Sequence, residues 1–239
     1  MLNFSLKNKD VTVYTKEELL QEIDNSILKG NYDLNYINTF YLQDISGCFE
    51  GLMHSVFISE WDVSNVRNFS KLFFRTKIRN IDVSNWDVSN GELFVGTFSQ
   101  NKYLKFNVNN WNISNGENFS YMFEQTKQQK DIDLSNWDVS MGKNFRAMFL
   151  TRKESAFGVK NWNINNATDV SNMFEFCTNF IENISNWNWN HIKCIKYECI
   201  LNGCEKFNFS LLKEFNINPA ILTSSWFFYI KRDGKLFEN

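Results

Sequence analysis

Trp61, Trp86, Trp111, Trp137, Trp162 and Trp187 follow one another at intervals of 25, 25, 26, 25 and 25 residues. No other feature of the chain narrows its folding options as far. A fixed interval of that length means one supersecondary unit copied in tandem, and such a unit buries its apolar face only against its own copies. Four further columns keep the frame. Twelve residues after the tryptophans stand Phe73, Phe98, Phe123, Phe149 and Phe174, with Cys199 breaking the series. Eight residues after come Phe69, Phe94, Phe119, Phe145, Val170 and Ile195. Three residues before come Ile58, Val83, Val108, Leu134, Val159 and Ile184, and two after come Val63, Val88, Ile113, Val139, Ile164 and Trp189. Leu34, Ile37, Ile45 and Phe49 fill the same slots in a leading unit without Trp, and Phe207, Phe209 and Leu212 in a degenerate trailing one. About eight turns over residues 34–215 follow from this frame.

Within a unit, Ile58-x-x-Trp61-x-Val63 has the spacing of a leucine-rich repeat. The expected fold is therefore a leucine-rich-repeat-like solenoid, with one short parallel β-strand per 25-residue repeat and strands stacked about 4.8 Å apart. Alternation of buried and polar residues places that strand at Trp and the residue two later. The segment that follows, such as 65–74, is expected to turn back across the core. Residues 1–33 read as an N-terminal cap: Thr15-Lys16-Glu17-Glu18 is a capping-box pattern before Leu19, Leu20, Ile23 and Ile27 at helical spacing, and Gly30 is a stop. A capping helix over 15–29 is the result. Residues 216–239, with the aromatic run Trp226–Ile230, read as the C-terminal cap.

The chain is close to electrical balance, with 25 Lys and Arg against 27 Asp and Glu, which argues against a nucleic-acid-binding protein. No stretch reaches the length of apolar residues that crosses a membrane. Five cysteines, Cys48, Cys177, Cys194, Cys199 and Cys204, are an odd set, unlike a secreted disulfide framework. The opening MLNFSLKNKDVTVYTKEELL has no basic segment followed by an apolar run of signal-peptide length. Both features lead to the expectation of a cytoplasmic chain. There is no P-loop, dinucleotide fingerprint, HExxH or CxxC. The carboxylates beside Trp give way to amides at Asn112 and Asn163, which an acid–base pair would not tolerate. No enzyme, cofactor or metal is expected. His191, Cys194, Cys199 and Cys204 have ligand types suited to zinc, but their loose spacing and the buried slot of Cys199 favour core packing.

Two surfaces are candidates for a partner. The first is the polar ladder flanking the tryptophans, with Glu60, Asn85, Asn110 and Asn136 before them and Asp62, Asp87, Asn112 and Asp138 after them. Read as the strand-side face of a solenoid, it would dock another protein. The second is a lysine column sixteen residues after Trp: Lys77, Lys102, Lys127 and Lys153, with Arg75, Arg79, Lys105, Lys130 and Arg152 in the same variable segment. Like charges stacked in neighbouring turns repel, so the column suggests an anionic partner: an acidic protein, a lipid headgroup or, less readily, nucleic acid. Self-association through the solenoid ends is a third possibility.

The segments DVSNVRNFSKLF (62–73), FSYMFEQT (119–126), DIDLSNWDVS (131–140) and ATDVSNMFEFCTNF (167–180) resemble the BspA-like leucine-rich repeat family of bacterial surface proteins. The resemblance covers about three quarters of the chain. It implies a repeat solenoid and a non-catalytic, protein-binding scaffold. It also implies a cell-surface or secreted setting, the alternative to the cytoplasmic expectation.

Overall fold

Thr15 and Glu18 begin the first ordered element. The Thr15 hydroxyl accepts the Glu18 N–H at 3.1 Å, and the Glu18 carboxylate accepts the amides of Tyr14 at 2.7 Å and Thr15 at 3.3 Å. These bonds satisfy donors that a helix start leaves open. Helix α1 then runs Lys16–Leu28, burying Leu19 and Ile23, and ends where Gly30 adopts a left-handed φ of +73°. A computed structural model of the chain describes residues 10–126, 132–152, 157–192, 195–215 and 222. Strands β1 (Val11–Thr12) and β2 (Ile37–Asn38) pair in parallel, tying the segment before α1 to the leading unit.

Consecutive units are hydrogen-bonded to each other along one side. Parallel bridges link Asp44, Asn68, Leu93, Asn118, Asn144, Asp169 and Lys196 in succession. From there the donors alternate down the chain: Phe69 to Leu93 O, Lys71 to Val95 O, Phe73 to Thr97 O and Arg75 to Ser99 O, at 2.7–3.1 Å. The same four bonds recur from Phe94, Gly96, Phe98 and Gln100 into the following unit. Each unit also closes β-turns on itself, such as Leu72 N–H to Phe69 O and Phe74 N–H to Lys71 O. This inter-unit ladder begins seven residues after Trp61, Trp86, Trp111, Trp137 and Trp162, in the segment that the sequence pattern assigns to the return.

The tryptophan side is held differently. There the backbone bonds are local, as in Trp86 N–H to Val83 O at 3.2 Å and Gly91 N–H to Val88 O at 2.8 Å. Asp and Asn side chains drive those turns: Asp87 Oδ1 accepts the Ser89 amide at 3.0 Å, and Asp82 Oδ1 the Ser84 amide at 3.2 Å. A strand at Trp is therefore absent among the described residues; side chains that hydrogen-bond two residues ahead satisfy the backbone within the unit. Neighbouring units are joined here by side chains. Each of the six indoles donates to a carbonyl of the preceding unit at 2.9–3.1 Å: Leu34, Ile58, Val83, Val108, Leu134 and Val159 in turn. Asn65, Asn90, Asn115 and Asn166 do the same through their amides at 2.7–2.8 Å.

Between the two sides lies an aromatic core. Trp61 and Trp86 stack at 6.3 Å, Trp86 and Trp111 at 6.5 Å, and Phe69 and Phe94 at 5.2 Å, all within a few degrees of parallel. A buried polar column runs beside it. Asn101 donates to Phe73 O at 2.5 Å and Phe98 O at 2.9 Å, while Thr126 and Cys177 reach Phe123 O and Phe149 O at 2.8 and 3.0 Å. Such partners are needed because these carbonyls are out of reach of water.

Two sequence readings are corrected here. The short helix α2, Trp189–Ile192, inserts two residues into the last full unit, so Asp169 pairs with Lys196. Leu201, not Cys199, consequently fills the buried slot twelve residues on, and Cys204 takes the place of Cys177, its Sγ 3.0 Å from Phe174 O. Cys199 falls instead at a half-buried left-handed position, φ +56°. Arg152 does not belong to the basic surface: it is fully buried, its guanidinium 5.1 Å from the Phe157 ring centre and 5.9 Å from that of Phe123. Lys127, Lys130, Lys153, Cys194 and the aromatic run Trp226–Ile230 lie outside the described residues.

Candidate functional site

The inter-unit ladder turns a run of side chains outward, two of them per unit from an unusual backbone. Ten non-glycine residues among those described have φ between +52° and +60°. All ten fall at two slots: Lys71, Tyr121, Ala147, Asn172 and Cys199 at one, and Arg75, Gln100, Gln125, Thr151 and Phe176 at the other. Glycine holds the same slots at Gly47, Gly51, Gly96 and Gly203. A side chain in this conformation costs about 1–2 kcal/mol that glycine avoids on steric grounds. All but Ala147 are exposed or half-exposed.

These outward groups form a connected surface. The Lys71 ammonium and Arg75 guanidinium lie 5.8 and 4.8 Å from the Phe74 ring centre. Arg75 donates to Gln100 at 2.5 Å. Arg146 donates to the Tyr121 hydroxyl at 2.9 Å and to Ser171 at 3.1 Å, and the Tyr121 bond holds the guanidinium pKa above its ordinary value. Along the adjacent edge, Arg67 pairs with Glu92, and Lys143 with Glu117 at 2.8 Å. Identical backbone slots thus carry basic, amide, aromatic and small side chains in turn. Nothing in the turn geometry calls for that variety.

The polar columns beside Trp show the opposite behaviour. Asp62, Asp87, Asn112 and Asp138 are exposed, and each accepts the amide of a serine two residues on at 3.0–3.2 Å. Hydrogen bonds from the Ser140 side chain and backbone hold the Asp138 carboxyl below the usual carboxylate range. Asp or Asn recurs there because an Asx turn needs a short side-chain acceptor. Glu60, Asn85, Asn110 and Asn136 are also exposed, on the same edge. Of the lysine column, Lys77 and Lys102 are described and exposed. They accompany Arg79 and Lys105.

Cys48, Cys177 and Cys204 are internal, while His191 and Cys199 are half-buried and His54 is exposed. Burial pushes the Cys48 thiol up to about 12 and raises that of Cys204 further. His191 places Nε2 2.9 Å from Ala167 O. No group of three or more potential metal ligands occurs among the described residues, and no described helix is long and apolar enough to cross a membrane.

Residues ten and fourteen positions after Trp vary from unit to unit, but so do those thirteen and fifteen positions after it, so variation alone does not single out the ladder face. The backbone strain that gives this variation its meaning is visible only in three dimensions.

Among known families, a family model described as "Mycoplasma protein of unknown function, DUF285" matches residues 20–132, 43–155 and 126–233. The first two matches overlap and start about one repeat apart, as a tandem repeat requires. No curated protein and no solved structure matches the chain.

Proposed function

The chain belongs to the DUF285 family, and from that premise and the geometry of its repeats we propose that it is a non-catalytic protein-binding scaffold. On this reading it is an end-capped solenoid of the leucine-rich repeat type, akin to the BspA-like repeats. Its docking face is the inter-unit ladder, centred on Lys71, Arg75, Gln100, Tyr121, Gln125 and Arg146. The observation that carries this is the row of left-handed slots filled by functional side chains where glycine would be sterically free. Strain retained over successive turns is a mark of selected surface groups. Rigidity supports the same reading. Four backbone bonds per junction hold these groups in place, so a partner orders few of them on binding. The polar columns beside Trp serve the scaffold, since their side chains hold turns.

Replacing Lys71, Arg75, Gln100, Tyr121 and Gln125 together by glycine tests the proposal. Relief of side-chain strain and the added chain entropy of glycine are each about 1 kcal/mol per site and opposite in sign, so thermal stability should change little. Affinity capture from cell extract should lose the protein species that the parent chain retains. A folded five-glycine variant that captures the same species would refute the ladder face.

A further inference from the structure

Beyond the ladder, the variable segments of two neighbouring units meet in a cleft lined by Arg79, Asn80, Tyr103 and Lys105, with a volume of about 620 Å³. Its walls are fixed. Asn80 and Lys105 form a parallel bridge, and Ile81 N–H to Lys105 O and Lys105 N–H to Arg79 O are both 2.9 Å. Ile78, Ile81, Leu104 and Phe106 anchor the two segments in the core. The backbone therefore holds two cationic side chains at adjacent positions, against their mutual repulsion.

The charge of the two segments that line this cleft is basic, with the exposed Asp82 just beyond Ile81. Lys77 and Lys102 stand exposed in the same two segments. Three cations elsewhere on the described surface sit against carboxylates, Lys16 by Asp44, Arg67 by Glu92 and Lys143 by Glu117, while Lys71, Arg75 and Arg146 lie against a ring, an amide or hydroxyls. Among the described residues, Lys77, Arg79, Lys102 and Lys105 make no such pair. Residues 75–81 and 100–107 contain no Asp or Glu. Tyr103, 59% exposed, offers a ring and a hydroxyl at the centre of the group.

We propose that this cleft binds a short acidic peptide segment of a partner protein, its carboxylates on Arg79 and Lys105, with Lys77 and Lys102 flanking and a side chain against Tyr103. The guanidinium fork and the Asn80 amide suit carboxylate oxygens. Among the described residues the basic side chains of this edge come from two units, on a chain of net charge −2, and Glu60, Asp62, Asp87 and Asp138 line another edge of the repeats. The single ring lining the cleft does not make the successive stacking platforms that single-stranded nucleic acid uses. A segment with a few carboxylates matches the cleft. None of the four lining residues belongs to the ladder face, and the proposal does not rest on that face's role.

The test titrates the full chain into fluorescein-labelled hexaglutamate, with hexaglutamine and a six-residue oligothymidylate as comparison probes, following anisotropy. Hexaglutamate should bind and hexaglutamine should not. Raising salt from about 50 to about 300 mM should weaken the complex about tenfold, as the screening length falls. The double variant Arg79→Gln/Lys105→Gln should weaken it about tenfold with an unchanged melting temperature, since both side chains are exposed. Tyr103→Ala should weaken it severalfold. The five-glycine ladder variant should bind hexaglutamate as the parent does, so failure of either idea leaves the other standing. No binding of hexaglutamate at millimolar concentration, or equal binding by the double variant, would overturn the proposal. Tighter binding of the oligothymidylate would transfer the cleft to nucleic acid and overturn it as well.

Discussion

Trp111 is the position at which the side-chain ladder is best weighed. Its indole N–H donates to Val83 O at 2.9 Å, and its ring lies 6.5 Å from Trp86 and 5.9 Å from Phe98. Trp111→Phe removes the donor and roughly 40 Å² of buried ring, the latter about 1 kcal/mol at about 25 cal/mol per Å². The hydrogen-bond part is bounded by the acceptor. Val83 O also receives the Trp86 backbone N–H at 3.2 Å, so it is not orphaned when the indole goes. The loss is then the net worth of one bond, about 0.5–1.5 kcal/mol, rather than the larger cost of a stranded carbonyl. Trp111→Phe should therefore cost about 1.5–2.5 kcal/mol, and Trp111→Ala, which empties the slot, about 3–5 kcal/mol. Urea titrations at constant pH, with equal m-values across the three proteins, measure both. A cost below about 0.5 kcal/mol for Trp111→Phe would mean that the indole bonds contribute nothing. A cost equal to that of Trp111→Ala would mean that Val83 O depends on the indole alone, against the double acceptance argued here.

Other positions give independent checks. Asn101→Leu removes the buried donor to Phe73 O and Phe98 O and the acceptor of the Thr76 hydroxyl at 3.2 Å; thermal unfolding should show a loss of about 2–4 kcal/mol. Met141 stands where Asn65, Asn90, Asn115 and Asn166 bridge to the preceding unit. Met141→Asn should reach Ser114 O and raise stability by about 0.5–1.5 kcal/mol in the same assay. Cys48, Cys177 and Cys204 are buried, and native protein at pH 8 should resist alkylation at all three until urea exposes them, as peptide mass mapping would record. The same burial has a pH consequence. A Cys48 thiol raised to about 12 keeps its proton when the unfolded thiol loses it, so stability should decline as pH rises from about 8.5 towards 12. Flat stability across that window would contradict the buried thiol. For Asp138 the depressed carboxyl reverses the sign: its small contribution is present above the unfolded value near 3.9 and is lost as pH falls through the folded one.

What the sequence determined by itself is the interval and the identity of the spine. Six tryptophans in one frame leave no other way to bury six indoles than to stack them, and the capping box at Thr15 and Glu18 is local enough to be read without a fold. The tertiary structure decided where the backbone bonds go. Buried Trp, exposed Asp and buried Val in succession suit a strand and a train of turns equally well. The choice depends on whether Asp87 bonds its own chain two residues ahead or leaves its neighbours free to pair across units. Only the neighbouring unit supplies the competing partners, and they stand on the phenylalanine side. The same dependence explains the slip at Cys199: the two-residue insertion of α2 is silent in a spacing count but is read by the bridge from Asp169 to Lys196. It explains Arg152 too, whose charge suggested solvent and whose slot lies between two rings. Periodicity reports which residues share an environment; where each polar group finds its partner is set by chain segments about 25 residues away.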